Sequence, residues 1–138
     1  MEYTDLVASV IEAHNLRHGD TMTVRLLLSI DRSKSIDENA ETLDIAVRKT
    51  SRDSVVVGVD FSGNPHNGRF DDFVSMLRIC RDAGLFITVH AAEIEDSTRD
   101  DSIAIKTVEQ EVALNTGVLI FSASTFRTSE MDDIIAFR

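Results

Sequence analysis

Apolar residues recur along this chain with two periods, about every 3.6 residues in some stretches and every second residue in others, and the switches between them predict its elements. From Glu2 to His14, Tyr3, Leu6, Val7, Val10 and Ile11 fall at helical spacing, and His18-Gly19-Asp20 closes that helix in a turn. Thr23 to Asp31 predicts a strand, followed by a helix from about Asp37 to Thr50 with Ile36, Ala40, Leu43 and Val47 on one face. Ser54 to Asp60 predicts a second strand, and Gly63-Asn64-Pro65 with Asn67-Gly68 supplies turn chemistry after it. The next helix runs from about Phe70 to Asp82, where Phe70, Phe73, Leu77 and Cys80 share a face. Gly84 caps it before a third strand, Leu85 to His90. Arg99 to Leu114 has a helical pattern, Gly117 to Ser122 a short apolar strand, and Ser129 with Asp132 a capping box opening a last helix. The loose repeat is the βα unit, which implies parallel strands under covering helices in one domain.

Alternation within the strands separates a barrel from an open sheet. One phase is apolar: Val24, Leu26, Leu28 and Ile30; Val55, Val57 and Val59; Leu85, Ile87 and Val89. Those positions are expected to pack under helices. The other phase turns polar toward its C-terminal end: Arg25, Leu27, Ser29 and Asp31; Val56, Gly58 and Asp60; Phe86, Thr88 and His90. An open doubly wound sheet buries both faces, so polar groups ending the same phase of successive strands point to a barrel interior opening at its C-terminal mouth. The expected fold class is α/β, a partial (β/α)8 barrel of about four parallel strands, with Asp31, Asp60 and His90 on one rim.

Composition narrows the partners. The chain has 138 residues, with 24 acidic against 14 basic side chains and a net charge of −10, a balance that repels nucleic-acid backbones and anionic membranes. Cys80 is the one cysteine, so neither an internal disulfide nor a thiolate zinc site can form. A reducing, cytoplasmic setting is expected, with no secretory leader and no apolar stretch of the roughly 18 residues that a spanning helix needs.

Candidate chemistry concentrates where the third strand ends, in Val89-His90-Ala91-Ala92-Glu93. An imidazole can bind a metal through its lone pair and a nearby glutamate can move a proton, a pairing suited to metal-assisted hydrolysis. Glu93 is out of phase with His90, so the chain must bend at Ala91 or Ala92 to bring them together. The bland alternative is a strand-end histidine with satisfied hydrogen bonds beside a solvated loop charge. His14 and His18 stand four apart, but Asn15 takes the glutamate position of a His-Glu-x-x-His motif, and ordinary polar residues at a helix end are the better reading. His66 reads as a surface turn residue and Cys80 as core. Asp60 reads equally as a solvated strand end or as part of a site.

Three successive segments resemble the adenosine deaminase family: Val24-Arg25-Leu26-Leu27-Leu28-Ser29-Ile30-Asp31-Arg32, Val57-Gly58-Val59-Asp60-Phe61-Ser62-Gly63-Asn64-Pro65 and Val89-His90-Ala91-Ala92-Glu93. Gly68-Arg69-Phe70-Asp71-Asp72-Phe73 resembles its adenosine deaminase-like branch, which acts on N6-methylated AMP. The resemblance spans about residues 1–93. It implies a hydrolase that removes the C6 amine of a purine nucleoside or nucleotide with a zinc-bound hydroxide. It further implies that His90 is a zinc ligand, that Glu93 protonates the purine ring, and that Gly63 and Asp31 contact the substrate. Ala92 stands where many relatives carry glycine.

The family's other zinc ligands have no counterpart here. The chain lacks a His-x-His on a first strand, an Ile-Gly-His segment and a late Asp-Asp strand ending. Asp132-Asp133 does not replace the last, because it falls in the first turn of the expected final helix. A full barrel takes about 250 residues, so the chain corresponds to part of one, and residues 94–127 fit the family poorly, as an insertion or a mispredicted exon would. A fragment or truncated gene model is therefore expected, lacking activity alone. The alternatives are a noncatalytic half barrel that associates with itself or a full-length partner through its open edges, and an unrelated α/β binding module in which His90 and Glu93 are incidental.

Overall fold

The computed structural model describes residues 3–50 and 54–91, and the backbone of residues 118–122. The helices expected over 99–114 and from Ser129, together with Ala92, Glu93 and Asp132-Asp133, lie outside the described residues. The elements are α1 (Tyr3–His18), β1 (Leu26–Asp31), α2 (Ile36–Lys49), β2 (Val56–Ser62), α3 (Phe70–Asp82), β3 (Phe86–Ala91) and β4 (Val118–Ser122).

Local chemistry sets several boundaries. Ser35 caps α2: its hydroxyl accepts from the Glu38 N–H at 3.2 Å, and the Glu38 carboxylate accepts from the Ser35 N–H at 2.9 Å. The backbone and hydroxyl bonds from Ser35 hold the Glu38 carboxyl below its ordinary pKa. At the end of α3, Gly84 takes a positive φ of 77°. Its N–H bonds the Arg81 carbonyl at 2.8 Å, and the Leu85 N–H bonds that of Cys80 at 3.0 Å, closing the last turn.

The four strands are parallel and lie in chain order, β1-β2-β3-β4. α2 and α3 cover one face, where Ile30, Val59, Phe61, Ile87 and Val89 of the sheet pack with Leu43, Ala46, Phe70, Phe73, Leu77 and Cys80 of the helices. Phe61 anchors this layer, with its ring 5.0 Å from Phe70 and 5.1 Å from Phe73 between centroids. Each such fully buried large side chain contributes about 1.5–3 kcal/mol relative to exposure. The opposite face carries Leu27, Ser29, Asp60, Phe86, Thr88 and His90. On it Leu27 is 36% and Phe86 54% exposed. Strands in chain order with both crossover helices on one side make a singly wound sheet, the arrangement of a barrel wall; a doubly wound sheet reverses order and uses both faces. The partial (β/α)8 expectation is borne out.

Three details differ from the periodicity. In α2 the inward stripe is Asn39, Leu43 and Ala46, whereas Ala40 and Ile36 are exposed. The helix is rotated because the Asn39 amide bonds the backbone of Asp31. In β2 one extra residue is accommodated near Val57, so Val56 pairs with Leu26 and is 1% exposed, although alternation assigned it to the mixed phase. The third is α1, whose apolar stripe is not buried: Tyr3, Leu6 and Val10 are all exposed. Polar links hold this helix instead. The Asn15 side chain bonds both the N–H and the carbonyl of Val24, at 2.8 and 2.9 Å, and Lys49 pairs with Asp5.

Candidate functional site

Parallel pairing places chemistry-bearing residues in rows across the inner face. Ser29, Asp60 and Thr88 are register partners on β1, β2 and β3, and His90 follows Thr88 two residues nearer the C-terminal mouth. Side chains two apart on a strand share a face, so the Asp60 carboxylate meets both Thr88 and His90. Asp60 Oδ1 accepts a hydrogen bond from the Thr88 hydroxyl and lies 3.5 Å from His90 Nε2. Both Asp60 and His90 are half-buried. Nearby, the Ser29 and Ser62 hydroxyls lie 3.3 Å apart.

Asp31 and Gly63 form a second group where β1 and β2 end. Asp31 is held from both sides of its peptide: its N–H donates to Asn39 Oδ1 at 2.8 Å and its carbonyl accepts from Asn39 Nδ2 at 2.9 Å. The Asp31 carboxylate accepts from the Ser33 N–H at 2.8 Å. Gly63 has a φ of 108°, and Asp31 Oδ1 occupies the place a Cβ there would take. A side chain at position 63 would therefore collide with the carboxylate as well as strain the backbone.

The loop after β2 is fastened by Arg32, which is only 4% exposed. Its guanidinium donates to the carbonyls of Asn67 at 3.1 Å and Gly68 at 2.9 Å, and lies 5.7 Å from the Phe61 ring centre. The Asn64 N–H adds a bond to the Ser33 hydroxyl at 3.0 Å. Reading the sequence did not single out Arg32 or Asn39. Asn39 left a signal, a polar residue at helical spacing with Leu43 and Ala46; Arg32 left none in the periodicity.

The predicted site residues therefore fall into two pairs, His90 with Asp60 and Asp31 with Gly63, and Glu93 lies outside the described residues. Of the other histidines, His14 and His18 close α1 with ring centres 5.2 Å apart, and His66 is exposed in the loop with its N–H on Asn64 Oδ1 at 3.0 Å. Cys80 is buried, and burial pushes its thiol up to about 12, which leaves it protonated and inert. A catalytic zinc needs about three protein donors. Among the described residues no group of three or more His, Cys, Asp or Glu gathers to hold a metal. His90 and Asp60 have the nitrogen and oxygen chemistry zinc accepts but supply two donors.

Over 96 residues the chain is 38% identical to the adenosine deaminase-like protein of Drosophila melanogaster, covering 69% of this chain and 28% of that protein. Its fold superposes on the crystal structure of the Arabidopsis N6-mAMP deaminase with a TM-score of 0.65 and 32% identity, over 80% of this chain and 30% of that one. This chain is a partial-length relative of the adenosine deaminase-like and N6-methyl-AMP deaminases. The Arabidopsis thaliana N6-mAMP deaminase is also 44% identical over 71 residues, or 51% of this chain and 19% of the relative. No family model matches. The chain thus spans less than a third of the length of these relatives.

Proposed function

We propose that this chain carries part of the catalytic site of a zinc-dependent purine deaminase, a hydrolase removing the C6 amine of a nucleoside or nucleotide of the adenosine or N6-methyl-AMP type. The observation that carries this reading is the position of His90, on the inner face of β3 near its C-terminal end, in a sheet that superposes on the Arabidopsis N6-mAMP deaminase. Active sites of such barrels are built at that end of the strands. His90 is the metal ligand. Glu93 donates a proton to the purine ring, the Gly63 backbone meets the base and Asp31 contacts the substrate. The positive φ of Gly63 lets backbone rather than a side chain face the base. When bound, zinc acts as a Lewis acid and lowers the pKa of its water.

Among the described residues there are fewer donors than a catalytic zinc requires, and the reading carries with it the proposal that this chain alone lacks turnover. Purified chain incubated with zinc and either adenosine or N6-methyl-AMP is expected to show no steady absorbance change, and weak zinc uptake that His90→Ala removes. Tight one-to-one zinc with steady turnover would overturn the inactivity, and zinc uptake unchanged in His90→Ala would overturn the ligand assignment.

A second reading is a noncatalytic half barrel that associates with itself or with a full-length partner. It is favoured by β1 and β4, which are edge strands among the described residues, and by exposed Leu27 and Phe86 on the inner face. Light scattering that finds a dispersed monomer would remove it. Among the described residues no helix is long and apolar enough to cross a membrane. A cytoplasmic setting and a small-molecule purine partner, with neither nucleic acid nor membrane, belong to the same proposal.

A further inference from the structure

Asn67 and Gly68 lie exposed in the loop between β2 and α3, and the fold itself demands the glycine. Gly68 has a φ of 65°, and a Cβ there would stand 2.5 Å from the Arg32 carbonyl oxygen. Asn67 is therefore followed by a main-chain nitrogen that no side chain shields, in reach of its own side-chain carbonyl carbon through a five-membered ring. The Asn67 amide makes no hydrogen bond among the described residues.

The other asparagines are each blocked. Asn64 precedes Pro65, which has no N–H. The Asn15 and Asn39 amides are engaged by the backbone of Val24 and Asp31. Asn115, outside the described residues, precedes β-branched Thr116, whose side chain crowds the amide.

We propose that Asn67-Gly68 is a site of covalent self-modification, in which Asn67 becomes isoaspartate or aspartate at a rate that Arg32 sets. The Gly68 nitrogen passes its proton to a solvent base and bonds to Asn67 Cγ; the Cγ–Nδ2 bond breaks and ammonia leaves, having taken up a proton. One water then opens the resulting succinimide. Opening at the former side-chain carbonyl leaves aspartate, and opening at the main-chain carbonyl leaves isoaspartate. Isoaspartate runs the main chain through one more carbon and turns the carbonyl held by Arg32 Nε into a carboxylate, a stronger acceptor for a guanidinium.

Arg32 restrains the reaction before it occurs. Its bonds to the Asn67 and Gly68 carbonyls, at 3.1 and 2.9 Å, flank the attacking nitrogen, and the Asn67 N–H is held by the Asn64 carbonyl at 3.0 Å. A peptide so held reaches ring-closing geometry only when the loop opens locally.

The test incubates the folded 138-residue chain in mildly alkaline buffer and maps the products by peptide mass spectrometry. Isoaspartate is counted by methyl transfer from S-adenosylmethionine with an isoaspartyl methyltransferase. Conversion at position 67 is expected to exceed that at every other asparagine, and Asn67→Gln to remove methyl acceptance. Arg32→Lys is expected to speed conversion roughly tenfold, in step with loop opening. Unfolding the parent in urea is expected to speed it at least as much, a readout that does not depend on whether Arg32→Lys folds. No excess at position 67 would overturn the site. An unchanged rate in folded Arg32→Lys, or equal rates in folded and unfolded parent, would overturn the restraint by Arg32. None of these outcomes bears on the deaminase reading, which does not use the Asn67 side chain.

Discussion

The Asp31 carboxylate stands where Gly63 would carry a side chain, and this places the ends of β1 and β2 back to back. Gly63 also has a φ of 108°, in a region that residues with a Cβ rarely adopt. Gly63→Ala is therefore expected to destabilise the chain by about 1–3 kcal/mol, from backbone strain and the displaced carboxylate together. Urea denaturation with an unchanged midpoint would show that the loop relaxes freely.

Asn39 is 1% exposed and serves both backbone groups of Asp31. Asn39→Leu keeps the volume but leaves the part-buried Asp31 N–H without its acceptor, while the Asp31 carbonyl keeps its bond from the Lys34 N–H, so a loss of about 1–3 kcal/mol is expected. Ser35→Ala, which removes only the exposed cap of the same helix, should lose about 1 kcal/mol. Equal losses for the two variants in urea would contradict a buried amide clamp.

Arg32 holds the loop after β2 through planar, directional donors to Asn67 and Gly68. Arg32→Lys keeps the charge but not the fork. Amide hydrogen exchange at Asn64 and Asn67 is expected to quicken by roughly tenfold or more in Arg32→Lys, equivalent to about 1.4 kcal/mol of local stability. Unchanged protection would mean that the turn holds itself.

Burial raises the Cys80 thiol from 9.0 to about 12. The unfolded chain then releases this proton at lower pH than the folded one. The contribution is fully present below pH 9.0 and is lost as pH rises toward about 12. Stability should fall across that window, and Cys80→Ala should flatten the fall even though its cavity lowers stability throughout. A thiol reagent is expected to react with native protein only as fast as it opens; prompt native labelling would contradict the buried position.

How far the sequence sufficed depended on the reach of the interaction. The bounds of α3 and its glycine cap were legible because helix period, cap and positive-φ glycine act within a few residues. Strand alternation put Asp60, Thr88 and His90 on one face for the same reason, and the deaminase resemblance was carried by contiguous segments. Asn39 shows where local reading stops: its spacing is helical, but its inward turn depends on Asp31 eight residues earlier, on another element. The extra residue in β2 likewise arises from pairing with β1, which no single strand encodes. By itself the sequence determined the described elements, their parallel pairing and the polar mouth, since these follow from period and chain connectivity. Only the tertiary structure decided the α2 rotation, the burial of Arg32 and the approach of Asp60 to His90, because each is a contact between residues brought together by packing.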